Sequence, residues 1–162
     1  MIKQLPEHKK MPCLDVDNLA QHLGLQISQS GWVTVSQPEV DAFARVTRDP
    51  DPLHVDPGWA REESPYGHTI MAGFNTLSLL PYLVRESGLS IGGVRLVMNY
   101  GFERIRFISS IAVGQRFRNT MVLKSLKTRA DKKIILITSN TVEAENAERP
   151  AMTADWINIL WR

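Results

Sequence analysis

Ala72-Gly-Phe-Asn-Thr-Leu-Ser-Leu-Leu-Pro-Tyr-Leu-Val-Arg-Glu-Ser87 is the stretch that decides the fold. Phe74, Leu77, Leu79, Leu80, Leu83 and Val84 cover most of the circumference of a helix over it. A helix apolar nearly all round has to be buried, because water would otherwise meet apolar surface on every side. Pro81 lies inside it and removes one backbone N–H, so a kink is expected there. The rest of the chain must therefore supply a cover for one bent helix.

The cover is legible downstream. Residues 93–109, 115–127, 133–143 and 151–161 are rich in Val, Ile, Phe and Trp. Turn residues separate them at Val113-Gly114, Ala130-Asp131 and Ala147 to Pro150, which marks four strands. Phe117, Met121 and Leu123 fall on one face, Arg116, Arg118 and Lys124 on the other. Strands joined by short connections predict an antiparallel meander, here curled around the helix in an α+β architecture. The last strand has Met152, Ala154, Trp156 and Leu160 on one face and Ile157, Ile159 and Trp161 on the other. One sheet around one helix does not cover both faces, so a homodimer is expected.

Upstream, residues 1–12 are polar and read as a loose arm. Val16, Leu19, Ala20 and Leu23 follow at helical spacing, with Gly24 as the stop, so residues 1–30 read as an arm and a short amphipathic helix. Trp32 to Val35 reads as a strand after a turn at Gly31. Ser36 and Glu39 have capping-box spacing and open a helix that runs to about Thr47. An irregular loop from Arg48 to Val55 comes next, then a helix start at Asp56-Pro57 and a turn at Tyr66-Gly67-His68.

Length and composition fit this plan. The 162 residues suit one domain over 1–162. With 43% hydrophobic and 22% charged residues, the composition is that of an ordinary globular protein. The formal net charge of +2 gives no reason to expect nucleic acid or anionic membrane as a partner. Cys13 stands alone, so no internal disulfide forms, in keeping with a reducing compartment. Lys3, Glu7, Lys9 and Lys10 leave no apolar region for a signal peptide, and no stretch approaches the ~20 apolar residues of a spanning helix. A cytoplasmic protein without membrane insertion is expected. No metal-ligand spacing or Gly-rich phosphate loop appears.

The residues suited to chemistry cluster between Thr47 and Phe74. Asp49 and His54 stand five apart, with prolines at 50 and 52 limiting the freedom of the segment. A carboxylate and an imidazole are the usual acid–base groups near neutral pH. Tyr66-Gly67 permits close backbone approach, and Gly73 opens the central helix. Its N–H, at the end of the helix that favours negative charge, is suited to stabilising an oxyanion.

Asp49 followed by His54, then Tyr66-Gly67, then Gly73, resembles the pattern of the MaoC-like (R)-specific enoyl-CoA hydratases. The run Tyr66 to Leu83, with Asn99-Tyr100-Gly101 and Arg106-Phe107, is similar to the nodulation-protein-N branch. The resemblance spans roughly residues 36–115 and implies a hot-dog fold. It also implies reversible hydration of a trans-2-enoyl thioester, with Asp49 and His54 as catalytic dyad. The Gly73 N–H would polarise the thioester carbonyl, with Tyr66, Gly67, Ala72, Asn75 and Arg106 as further substrate-binding candidates. No cofactor is implied, since coenzyme A or an acyl carrier belongs to the substrate. Such proteins pair their sheets and keep the site near the subunit boundary. Four positions depart from the pattern. Arg48 replaces a glycine, Asp51 an amide, Ala72 a histidine, and Ser109-Ser110 a proline.

Other readings stay open. Asp49 and His54 can be turn and structural residues, Gly73 a packing glycine, Asn75 a cap, and Arg106 a structural or phosphate-binding cation. His68 reads as a turn residue, His8 and His22 as surface residues, and Cys13 as an inert thiol. The basic run Lys124, Lys127, Arg129, Lys132, Lys133 reads as a solvated hairpin tip or an attractor of coenzyme A phosphates. Two rival functions are a hot-dog thioesterase and a catalytically impaired acyl-thioester binding protein. The first is disfavoured because residues 72–85 contain no Asp or Glu.

Overall fold

The computed structural model describes residues 13–131 and 133–162, so the expected arm over 1–12 lies outside the described residues. The strands are β1 (Cys13–Asp15), β2 (Gln26–Gln29), β3 (Ser90–Gly92), β4 (Leu96–Phe107), β5 (Phe117–Thr128), β6 (Ile134–Ala144) and β7 (Met152–Trp161). The helices are α1 (Gln37–Thr47), α2 (Pro52–Val55), α3 (Pro57–Glu63), α4 (Gly73–Ser78) and α5 (Leu80–Glu86). The four long strands fall where Val, Ile, Phe and Trp predict them.

Their order is β2-β5-β6-β7-β4, all antiparallel. Only β5, β6 and β7 form a meander. β4 pairs not with β5 but with β7, from Leu96 opposite Trp161 to Phe107 opposite Met152. The expected simple meander is corrected by residues 108–116, which are no tight turn. Ile108 N–H bonds Ala151 O at 2.8 Å, Ala112 bridges to Ile70, and Gly114 N–H bonds Val35 O at 2.9 Å. This crossover carries the chain from one edge of the sheet to the other side of β6.

One face of β5, β6 and β7 is buried at alternate residues, as the period-two pattern requires. Phe117, Leu123, Val142, Met152 and Leu160 are fully enclosed there. The central helix lies on this concave face, giving the α+β hot-dog architecture. It breaks at Leu79 into α4 and α5, because Pro81 in the first turn of α5 has no N–H to continue the ladder. Leu80 and Leu83 are buried to 0% exposure, but Phe74 is 68% exposed. Burial all round is therefore corrected. The sheet ends at β4, and among the described residues the stripe of helix beyond that strand meets no further strand. The last strand is corrected likewise. β7 is covered by β6 and β4 at its sides and largely buried, whereas exposed apolar residues gather on β4.

Two upstream expectations also change. Where a helix from Asp15 was expected, burial alternates through Cys13, Leu14, Asp15 and Val16. β1 pairs parallel with β3, and only one 3-10 turn, Leu19–His22, precedes Gly24 at φ +78°. The Asp15 carboxylate accepts from Asp17 N–H at 2.8 Å, a local bond that competes with a helix start. Trp32 to Val35 reduces to a single bridge between Val33 and Phe117, because β2 already occupies the edge of β5 beside Thr120 to Val122.

The capping box at α1 forms through Glu39, whose carboxylate accepts from Ser36 N–H and Oγ–H at 2.7 Å each. These bonds hold the Glu39 carboxyl below its ordinary pKa. α1 ends at Arg48 in the left-handed region, φ +61°. A side chain is strained there and glycine is not, which accounts for the glycine of the family pattern. Arg48→Gly is expected to raise unfolding free energy by about 0.5–1 kcal/mol, the relief exceeding glycine's added unfolded-state entropy. Urea denaturation measures it, and a lower midpoint at unchanged slope would contradict the strain.

Candidate active site

His54 sits on a helical turn, not in an irregular loop. The Asp51 carboxylate caps α2 by accepting Leu53 N–H at 2.9 Å, and Pro52 at the first helical position needs no acceptor. Asp56 then caps α3 by accepting from Gly58 and Trp59 N–H, both at 2.9 Å. The carboxylate at 51 thus has a mechanical task that keeps this short turn folded.

The His54 ring is oriented by its Nδ1, 2.8 Å from Ile70 O. A carbonyl only accepts, so Nδ1 carries the proton and Nε2 holds the free lone pair. The backbone is fixed as well. His54 O accepts from Gln37 Nε2 at 2.7 Å, and Gln37 Oε1 accepts from Thr69 Oγ1 at 2.7 Å. Ile70 N–H bonds Leu53 O at 3.2 Å. Gln37 of α1 and residues 69–70 therefore fix the His54 backbone, and the Ile70 carbonyl orients its ring.

The opening of the central helix is fixed by the same strand-like segment. Met71 N–H donates to Ile111 O at 2.9 Å. Ala72 is the N-cap of α4 and Gly73 its first residue, so the Gly73 N–H has no acceptor within the helix. A Cβ built on Gly73 would lie 2.9 Å from the Phe107 ring, so a side chain here requires that ring to shift. Phe107 in turn meets Phe74 edge to face, with centroids 5.7 Å apart.

His54, Tyr66 and Gly73 line one cavity of about 250 Å³, walled further by Met71, Thr76, Phe107 and residues 108–111. The other sequence-derived residues are not on its wall. Asp49 is exposed, just past the left-handed Arg48. Gly67 supplies the turn, φ +69°. Ala72 serves as N-cap, and Asn75 is buried at 5% exposure. The exposed Arg106 guanidinium donates to Ile105 O at 2.8 Å. His68 lies outside the wall, its ring centroid 6.4 Å from that of Tyr66. Among the described residues no group of three His, Cys, Asp or Glu could hold a metal ion.

Thr76, Phe107, Ser109, Ser110 and the positioning residue Gln37 escaped the sequence reading as site residues. Ser109-Ser110 was visible only as a departure from the family pattern. Gln37 gave no signal of a site role, because apart from Asp41 its partners stand 17 and 32 positions away.

A family model described as MaoC like domain matches residues 18–146. Nodulation protein N of Rhizobium leguminosarum bv. viciae is 38% identical over 147 residues, 91% of this chain and 91% of that protein. 3-Hydroxyacyl-thioester dehydratase Z of Mycobacterium tuberculosis (strain ATCC 25618 / H37Rv) is 39% identical over 142 residues, covering 88% and 93%. Among solved structures, the (R)-hydratase from A. caviae involved in PHA biosynthesis superposes with TM-score 0.67 at 21% identity. That likeness covers 84% of this chain and 94% of the other, and it shows a shared fold.

The Gly73–Phe107 contact can be measured directly. Gly73→Ala is expected to cost about 1–3 kcal/mol by overpacking. Adding Phe107→Ala should recover part of that loss, since the two residues share one contact. Melting temperatures of the two single variants and the double would show it, and simple additivity would sink the packing account.

Proposed function

We propose that this chain, which belongs to the MaoC-like domain family, adds water reversibly to a trans-2-enoyl thioester and yields the (R)-3-hydroxyacyl product. One observation carries the reading. The Ile70 carbonyl leaves His54 Nε2 as a free base in the same cavity as the helix-opening Gly73. The name of the mycobacterial relative, a 3-hydroxyacyl-thioester dehydratase, supports the reaction class.

In hydration, water gives a proton to the Asp49/His54 pair, its oxygen bonds C3, and a proton returns to C2. No net proton is exchanged. Negative charge builds on the thioester oxygen in between, and the Gly73 N–H stabilises it there. The substrate is an acyl-coenzyme A or acyl-carrier thioester met in the cytoplasm, and the reaction uses no further cofactor. Among the described residues no helix is long and apolar enough to cross a membrane. Asp49 stands outside the cavity wall, so its share in the reaction is the part most exposed to test. An acyl-thioester binding protein that has lost turnover is the reading this exposure favours as an alternative.

The assay that separates the readings follows loss of the conjugated double bond of crotonyl-CoA alongside thiol release. Asp49→Asn and His54→Ala are each expected to lower hydration roughly 10²–10⁴-fold. The double variant should be little worse than either, because the two groups act as a unit. Wild-type hydration by Asp49→Asn at unchanged melting temperature would remove Asp49 from the mechanism. Thiol release without hydration would point to a thioesterase.

The functional unit we propose is a homodimer. β4 ends the sheet, and Leu96, Val97, Met98, Tyr100, Phe102 and Phe107 on it are all exposed. An apolar edge strand with free N–H and C=O groups is a pairing surface. A second copy bringing its own β4 would cover it, together with Phe74. Light scattering at micromolar concentration should give twice the chain mass, and a monomer of 18.3 kDa would overturn the assignment.

A further inference from the structure

Three cavities lie in line along one stripe of the central helix. The first is the His54 cavity, at Gly73 and Thr76. The second is bounded by Phe74, Leu77 and Pro81, over Phe102 and Trp156. The third, about 420 Å³, runs from Pro81 past Val84, over Val97 and Asn158. Residues 73 and 77 share a face of α4 by their spacing, and 81 and 84 share one of α5. The floor advances the same way, from Phe107 to Phe102 to Val97 on β4 and from Met152 to Trp156 to Asn158 on β7. The second and third cavities share Pro81, Asn99 and Trp156. Between the first and second stands the Phe74–Phe107 pair, both rings substantially exposed.

The third cavity has mostly apolar walls, including Ile27, Leu89, Met121 and Leu136, with Arg85 and Ser90 also on its lining, and a polar floor. Asn158 is only 5% exposed and stands opposite Asn99 in the β4–β7 register. Thr138, on the same floor, accepts from Asn140 Nδ2 at 3.0 Å through its hydroxyl and keeps its own proton to donate. An amide brings two donors and one acceptor, and buried polar groups are destabilising unless paired. A plain hydrocarbon chain would strip water from Asn158 and give nothing back.

We infer that this third cavity receives the distal part of the acyl group and selects thioesters whose chain carries a hydroxyl or carbonyl oxygen at that depth. The inference rests on the hydratase reading for the thioester end alone. At 1.5 Å per residue, the helix from Gly73 to the span between Pro81 and Val84 places the oxygen roughly 12–16 Å from the thioester. A volume of about 420 Å³ is in the range of small-molecule pockets. A site built to hydrogen-bond a substrate oxygen discriminates against the analogue without it.

Calorimetric titration of the intact protein with dodecanoyl-CoA and 12-hydroxydodecanoyl-CoA, neither of which can be hydrated, tests this. The wild type is expected to bind the hydroxylated chain about tenfold more tightly, the effect of one satisfied buried group. Asn158→Leu should erase or invert that ratio. Asn99→Val, on the exposed edge strand, should reduce it even if Asn158→Leu fails to fold. Equal affinities in the wild type, or a ratio unchanged in the folded variants, overturns the inference. Crotonyl-CoA is too short to reach the third cavity, so its hydration by the wild type reports on the reaction alone. No hydration with the ratio intact sinks the hydratase reading and leaves this inference standing. Hydration without the ratio does the reverse, and failure to bind either long thioester sinks this inference while crotonyl-CoA hydration still decides the hydratase reading.

Discussion

Residues 69–71 are the fastening on which the other parts depend. The Thr69 hydroxyl holds Gln37, the Ile70 carbonyl holds the His54 ring, and Met71 N–H ties the crossover at Ile111 to the start of the central helix. Three residues thus join α1, the histidine turn, the crossover and the helix. Each bond is worth only about 0.5–1.5 kcal/mol net. Their value lies in position, because the same segment that sets the imidazole also sets the helix opening. His54 and Gly73, the proposed base and oxyanion donor, are both tied to one short segment, so their separation depends little on distant packing.

Tension between packing and chemistry runs through the site. A Cβ on Gly73 would press on the Phe107 ring, while the proposed oxyanion role asks that the same residue's N–H meet a substrate. The two explanations for that glycine are compatible. Arg48 shows the opposite choice. A charged residue is held in a strained left-handed conformation immediately before Asp49, so strain is stored next to a proposed catalytic group.

Long periodic elements were readable, and for a physical reason. β4 to β7 and the Pro81 break follow from side-chain alternation and a missing N–H, both local properties. The short β1 and β3 were not readable, since each is three residues and exists only through the other. Trp32 to Val35 looked like a strand on composition, but a strand needs a free edge, and β2 had taken it. The pairing of β4 with β7 was hidden for the same reason: no local signal says which of two partners a strand meets. In the site, His54 and Gly73 were legible as chemistry-bearing residues. Gln37, Thr76 and Ser110 were not, since only tertiary pairing brings them near.

The same pairing has a consequence for the order in which the molecule is made. β4 leaves the ribosome well before β7, its one strand partner in the sheet among the described residues. At 5–20 residues per second the wait is on the order of seconds. Through that interval both edges of an apolar strand are open, where the finished chain leaves one. β7 also completes β6, so this one strand converts two open edges at once. Assembly of this sheet therefore waits on β7, and any chaperone that shields nascent chains would find its target between residues 96 and 107.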